Sequence, residues 1–370
     1  MVGKKRIAIL NLHYDNNYGG NLQRYALVTT LQRMGYEVTY LYMRFNWSVK
    51  SRRFWAIEFV KNAIKRYILF RKNVSICSWK KEDACLVQKY KVTDRFLERY
   101  IPHSNVLWGR SWLERYVRHH YFDAFIVGSD QVWRKSYTTR YGIGMWFFDF
   151  LPKDYAGKRI AYGASFGVSE PEYTKEEQDK IRSLFNQFNA VSIREKSGLA
   201  LLNQYGWTSP KATCVLDPTL LLKSDDYINL INAAETSPLD GKLWCYILDM
   251  NKEKERLINR KSKELSLSTT IHSISSNAQL SVEQWLRNFH DADYVITDSY
   301  HGLIFSLIFH KPFSLIVNKG RGATRFESIK QTLAIDFDSS LDWTAFEQHL
   351  KAAKQKSLDF LETALSNDNR

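Results

Sequence analysis

Four cysteines in 370 residues, Cys77, Cys85, Cys214 and Cys245, are too few for a secreted disulfide scaffold and lack the paired CxxC spacing of a zinc site. Reduced thiols in a cytoplasmic protein are the expectation. Proline is scarce too, with seven residues, and nothing in the composition suggests collagen, disorder or low complexity. No run approaches the ~20 apolar residues that a membrane span requires, since Leu303 to Val317 is interrupted by His310, Lys311 and Pro312. The start, Lys4-Lys-Arg-Ile-Ala-Ile-Leu-Asn-Leu12, has the basic-then-apolar order of a signal peptide, but its apolar run is short and no small-residue cleavage site follows. It reads as a first strand. The glycine pair of Asn17-Tyr-Gly-Gly-Asn21 lacks the GxGxxG pattern, so a dinucleotide is not indicated. No cluster of metal-ligand side chains stands out, and neither a metal nor a bound cofactor is expected.

Acidic residues are nearly missing from one segment. Between Arg44 and Lys81 eleven Lys and Arg face one acid, Glu58, so this stretch supplies +10 of a formal charge of +14. Within it, Phe54 to Arg71 reads as an amphipathic helix, with Phe59, Val60, Ala63, Ile64, Tyr67 and Phe70 on one side and Glu58, Lys61, Asn62 and Lys65 on the other. Basic charge with Trp47, Trp55 and Trp79 nearby suits an anionic membrane surface, with a solvated basic face on a domain-packed helix as the plainer alternative. Nucleic acid is not expected, because no recognised binding motif accompanies the charge.

What is present is strand and helix in alternation. Arg6 to Leu12, Glu37 to Met43, Ala124 to Gly128, Arg159 to Ser165 and Ala190 to Ile193 read as strands in the first half. Leu243 to Leu248, Thr269 to Ile274, Tyr294 to Thr297 and Phe313 to Val317 read so in the second. Helical stretches separate them, beginning with Asn21 to Met34. The pattern predicts an α/β protein of two Rossmann-like lobes facing a cleft. The boundaries it suggests are an N-terminal domain over 1–220 with a basic aromatic helical insertion at about 44–118, a C-terminal domain over 221–343, and a helix within 344–370 that crosses back to the first.

Three places offer chemistry. The stretch Tyr294-Val-Ile-Thr-Asp-Ser-Tyr-His301-Gly302 delivers Asp298, Ser299 and His301 from a strand end to the mouth of a helix, where unpaired N–H groups and the dipole favour an anion. His301 titrates near neutrality when unperturbed and could give or take a proton there. Ser129-Asp130-Gln131 follows the strand Ala124 to Gly128 at its carboxyl end, where open α/β sheets place ligands. Gly19 and Gly20 permit a tight turn and a close approach of backbone to a ligand.

Taken together, six segments resemble the polysaccharide pyruvyltransferase family: Asn17-Tyr-Gly-Gly-Asn-Leu-Gln-Arg-Tyr-Ala-Leu27, Ile126-Val-Gly-Ser-Asp-Gln-Val-Trp133, Arg159-Ile-Ala-Tyr-Gly-Ala-Ser-Phe-Gly167, Ser192-Ile-Arg-Glu-Lys-Ser-Gly198, Val215-Leu-Asp-Pro-Thr-Leu-Leu221 and Ile296-Thr-Asp-Ser-Tyr-His-Gly302. They stand in family order, and Val49 to Val117 is the stretch with least likeness. The resemblance implies a fold similar to the B-type glycosyltransferases. It also implies transfer of the pyruvyl group of phosphoenolpyruvate, a co-substrate, onto two hydroxyls of a hexose in a surface polysaccharide or its lipid-linked precursor. The product is a cyclic pyruvate ketal, and phosphate is released. On that footing His301 is the acid, Asp298 orients it, and Asp130 accepts or deprotonates a sugar hydroxyl. Arg194 and then Arg325 clamp the donor with Ser299 and Gly302, Arg321 being a further alternative. Asn17, Gly19, Gly20, Asn21, Ser129 and Gln131 line the acceptor side. Some branches of the family carry Arg where this chain has Ser299, so that anion contact comes from elsewhere or is absent.

Two other functions fit the same architecture: a nucleotide-sugar glycosyltransferase, and a non-catalytic scaffold at the membrane surface for polysaccharide assembly. Asp291-Ala-Asp293 and Asp336-Phe-Asp338 have the look of metal-binding DxD motifs but read better as surface turns.

Overall fold

The computed structural model describes residues 3–44, 52–71, 90–273, 279–317, 323–337 and 341–366. Among them the strands form two sheets. β1 (Arg6–Leu10), β2 (Glu37–Tyr40), β3 (Ala124–Asp130), β4 (Lys158–Ala164), β5 (Ala190–Ile193) and β6 (Thr213–Cys214) make a six-stranded sheet in the order β2-β1-β3-β4-β5-β6. β7 (Leu243–Ile247), β8 (Thr269–Ser273), β9 (Tyr294–Thr297) and β10 (Phe313–Leu315) make a four-stranded sheet in the order β10-β9-β7-β8. Every pairing within them is parallel. Parallel strands need helical crossovers that cover both faces, which is why β1, β3 and β7 read as nearly continuous apolar runs and are buried throughout or almost so. The two-lobed α/β architecture expected from the strand–helix rhythm is the one observed.

Five helices place the site and its flanks: α1 (Tyr18–Arg33), α2 (Arg52–Ala63), α3 (Tyr300–Ile308), α4 (Ala323–Leu333) and α5 (Trp343–Ser366). Periodicity starts α1 at Asn21 and α3 at Leu303, and both begin three residues earlier. Asn17 caps α1 by accepting from Gly20 N–H, and Ser299 caps α3 by accepting from Gly302 N–H at 3.3 Å. Gly19 and Gly20 therefore lie in a first helical turn, not in a tight turn before it. Asp130 likewise closes β3 as a strand residue, with φ of 78° in the left-handed region that Asp tolerates better than most side chains.

α5 returns to the first sheet. Lys158 Nζ donates to the carbonyls of Ala364 at 3.2 Å and Leu365 at 3.0 Å, and Leu216 N–H donates to Ser357 Oγ at 3.0 Å. The lobes are joined elsewhere by Tyr18, whose ring stacks on Trp285 at 5.7 Å and whose hydroxyl lies 3.3 Å from His272 Nε2. No helix among the described residues is long and apolar enough to cross a membrane.

Candidate active site

A cavity of about 590 Å³ opens between the two sheets. From the first lobe it is lined by the loop from Leu12 to Asn17, by Gly19 and Arg24 of α1, by Asp130 and Gln131, and by Arg134, Tyr137, Arg140 and Tyr141. The second lobe contributes Tyr246, Leu248, His272, Asp298, Ser299, Tyr300, His301 and Arg325. Four arginines face it with three aspartates, one of which is tied to a lysine.

That one is Asp298. Its carboxylate accepts Leu248 N–H at 2.6 Å, Asp249 N–H at 3.3 Å and Lys254 Nζ at 2.6 Å, all from the segment after β7. It ties the end of β9 to the end of β7 and does not orient His301. The carboxylate within ion-pair reach of the imidazole is Asp217, with Oδ2 3.8 Å from Nε2. Asp217 is fully buried and accepts from Gln23, from Arg194 Nη1 at 2.9 Å, and from Thr219 N–H and Oγ1 at 3.1 and 2.7 Å.

Arg194 departs from expectation as well. It does not line the cavity. Its side chain is 1% exposed and holds Asp217 on one arm and Asp130 Oδ1 on the other, at 3.1 Å, while Glu195 stands at 3.9 Å. The guanidinium fork thus fixes two carboxylates behind the site. Of the two arginines expected to clamp the donor, Arg325 is the one that reaches the cavity, and both guanidiniums stand 5.1 Å from the centre of the Tyr300 ring. Arg321 lies outside the described residues.

His301 sits in the first turn of α3, almost buried, and its Nε2 has no hydrogen bond among the described residues. Burial is the largest influence and pushes its pKa down to about 4. Arg194 and Arg325 push the same way, and Asp217 and Asp130 oppose them. Asp130 shows the reverse balance: burial alone would raise it, but Arg194, His301, Arg325 and Arg24 hold it below the ordinary carboxylate value. At neutral pH the site therefore pairs a neutral imidazole with an ionised carboxylate.

Gly19 explains how the imidazole meets the opposite lobe. A Cβ at Gly19 would fall 2.1 Å from the His301 ring, so only glycine lets the first turn of α1 abut it. Gly302 serves packing within its own lobe, where a Cβ would meet Thr297 Oγ1 at 2.1 Å. Of the acceptor-side residues read from sequence, Asn17, Gly19 and Gln131 border the cavity. Gly20, Asn21 and Ser129 do not: Asn21 braces Asp15 and Arg24, and Ser129 Oγ donates to Gly163 O at 2.9 Å. Sequence reasoning does not single out Arg24, Arg134, Arg140, His13, His272 or Asp217. A signal for Asp217 exists in Val215-Leu-Asp-Pro, one of the six family-like segments, to which the sequence reading gives no site role.

Asp291 of the first DxD-like triplet is held by Arg287 at 3.0 Å and His290 at 2.9 Å, and Asp338 of the second lies outside the described residues.

Fold and site define a two-lobed parallel α/β protein with a cationic cleft built around a buried histidine–carboxylate–arginine cluster. The chain belongs to the polysaccharide pyruvyl transferase family, whose model matches residues 17–320. It is therefore a transferase of polysaccharide pyruvylation in the general sense. No curated protein sequence matches it significantly. Among solved structures it is similar to the S. aureus MnaA–UDP complex, at 10% identity over 100% of this chain and 99% of that one, with a TM-score of 0.48. A UDP-N-acetylglucosamine 2-epimerase from Rickettsia bellii matches at 8% identity over 98% and 97%, with a TM-score of 0.48. A glycosyltransferase from Rickettsia africae matches at 10% over the whole of both chains, with a TM-score of 0.44.

Proposed function

We propose that the protein transfers the pyruvyl group of phosphoenolpyruvate onto two hydroxyls of a hexose in a surface-polysaccharide precursor. Carbon 3 of the donor gains a proton, two sugar oxygens bond to carbon 2, and the bond from carbon 2 to the phosphate oxygen breaks. Of the two protons the hydroxyls lose, one balances the new methyl group and the other leaves with phosphate. Such a reaction needs cations for a phosphate and a carboxylate, an acid at the vinyl carbon and a base at the sugar. Arg325, with Arg24, Arg134 and Arg140 on the cavity wall, meets the first requirement in place of Arg194. The observation that carries the reading is that His301 and Asp130 border one cavity from opposite lobes.

His301 enters as the acid only once protonated. A bound donor brings several negative charges against it, which raises its affinity for a proton and reverses the effect of burial. Asp130, ionised and held in place by Arg194, takes the proton of a sugar hydroxyl. Asp217 acts through His301 as a positioning residue, while the first turn of α3 offers the anion its N–H groups other than that of Gly302, which Ser299 caps. The acceptor is lipid-linked on this reading, with the enzyme at the inner face of a membrane.

The test is mass spectrometry of a lipid-linked oligosaccharide incubated with phosphoenolpyruvate and enzyme. The expected product is heavier by one pyruvate less one water, with phosphate released in equal amount. His301→Ala should fold and lose roughly 10²–10⁴ in rate, the usual contribution of a positioned proton donor. Full activity of that variant would overturn the assignment.

A further inference from the structure

Within the basic insertion, the helix α2 and the turn after it carry their apolar side chains outward. In α2 and the π-helical turn Ile64–Ile68 that continues it, Ile57, Val60, Ile64, Tyr67 and Ile68 recur at helical spacings of three and four, and all are 42–66% exposed. Leu69 and Phe70 at the end of the turn are 58% and 81% exposed. The residue this segment buries is polar: Asn62 is 7% exposed. A helix packed on its own domain shows the opposite arrangement. The exposure also spreads beyond one stripe, since Phe59 stands roughly 200° round from Ile57 on an α-helix and is 46% exposed.

The surroundings of this surface are cationic. Residues 52–71 hold six Lys and Arg and one acid, Glu58, which Lys61 approaches at 3.5 Å. A protein partner would have to answer both a continuous apolar surface and an unbalanced positive charge. A bilayer with anionic headgroups answers both at once, because acyl chains receive the apolar side chains while headgroups meet Lys61, Lys65, Arg66 and Arg71.

The insertion is anchored beside the cleft. On either side of the stretch that holds α2, Arg44 and Tyr90 meet: the Tyr90 ring lies 5.3 Å from the Arg44 guanidinium, and Arg44 pairs with Asp94 just beyond. Tyr14, in the cavity-lining loop from Leu12 to Asn17, donates its hydroxyl to Thr93 O at 2.5 Å in the same place.

We infer that α2 and the turn after it form a membrane-docking surface for anionic lipid, which holds the mouth of the cleft at the bilayer where a lipid-linked acceptor resides. The docking stands on the helix alone; only its link to the acceptor rests on the proposed chemistry.

Cosedimentation of the full-length protein with vesicles of phosphatidylglycerol and phosphatidylcholine tests it, beside vesicles of phosphatidylcholine alone. Binding is expected to the anionic vesicles, to weaken at high salt, and to fall ~10-fold or more in Ile57→Ser/Ile64→Ser/Tyr67→Ser/Ile68→Ser. These side chains are exposed, so circular dichroism should show that variant folded. His301→Ala should bind vesicles like the parent, which separates failure of docking from failure of the chemistry. The quadruple variant should keep its turnover on a water-soluble acceptor and lose it on one embedded in vesicles. Absence of binding to anionic vesicles, equal binding by the variant, or burial of this face in a stable dimer by light scattering would overturn the inference.

Discussion

His301 and Gly19 decide together whether the cleft can work, and each predicts a measurable effect. A methyl group at Gly19 would overlap the imidazole, so Gly19→Ala must turn the ring or part the lobes. A misplacement near 1 Å costs about 10²-fold in rate. The variant should fold and bind donor with kcat reduced by that order; unchanged kcat would show that the ring is not seated there. His301 also leaves a mark on stability. Because burial lowers it from 6.5 to about 4, the unfolded chain binds a proton that the folded protein refuses throughout that interval. Stability is therefore full above the unfolded value and declines as pH falls from 6.5 toward 4. Asp130 and Asp217, with lowered values, keep their contribution through that window and lose it only at more acid pH. Melting temperature should drop more between pH 7 and 5 in the parent than in His301→Asn, and equal drops would contradict a neutral buried imidazole. His301 and Asp130 were legible as candidates because each stands at a strand's carboxyl end. The mislaid roles of Arg194 and Asp298 were not, since the partners they meet come from distant segments: Asp130 and Asp217 for one, Lys254 for the other.

At the scale of elements, capping explains both the shifted helix starts and the support of the site. Asn17 and Ser299 precede glycine-containing turns that are poor helix formers alone, so periodicity starts both helices late, while packing between the lobes starts them early. Lys254, on the helix Lys252–Leu265, is the strut that holds β9 to β7 through Asp298. Its side chain is 10% exposed and its partner is fully buried. Breaking a buried pair from one side costs about 3–5 kcal/mol because the other charge remains. Lys254→Met should lose that much in denaturant unfolding, with a weaker Tyr294–His301 junction; an unchanged midpoint would show the pair to be dispensable.

For the whole molecule, the alternation of apolar strands with helical stretches made the two lobes legible, because parallel sheets buried on both faces leave that rhythm in any sequence. α5 bonds back to β4 through Lys158. What the sequence could not convey is the outward-facing apolar surface of α2, for periodicity marks which residues share a face and not which way the face turns. Nor could it show that a cluster assembled from β3, β5, the Asp217 turn and α3 sets the charge of the cleft. The claim on which the proposed chemistry depends is that the donor's negative charges are received against His301. Nuclear magnetic resonance titration of the His301 ring, with and without phosphoenolpyruvate, measures this directly. The expected result is an imidazole that titrates near 4 in the free protein and markedly higher with donor bound. An imidazole whose titration the donor leaves unmoved would contradict it.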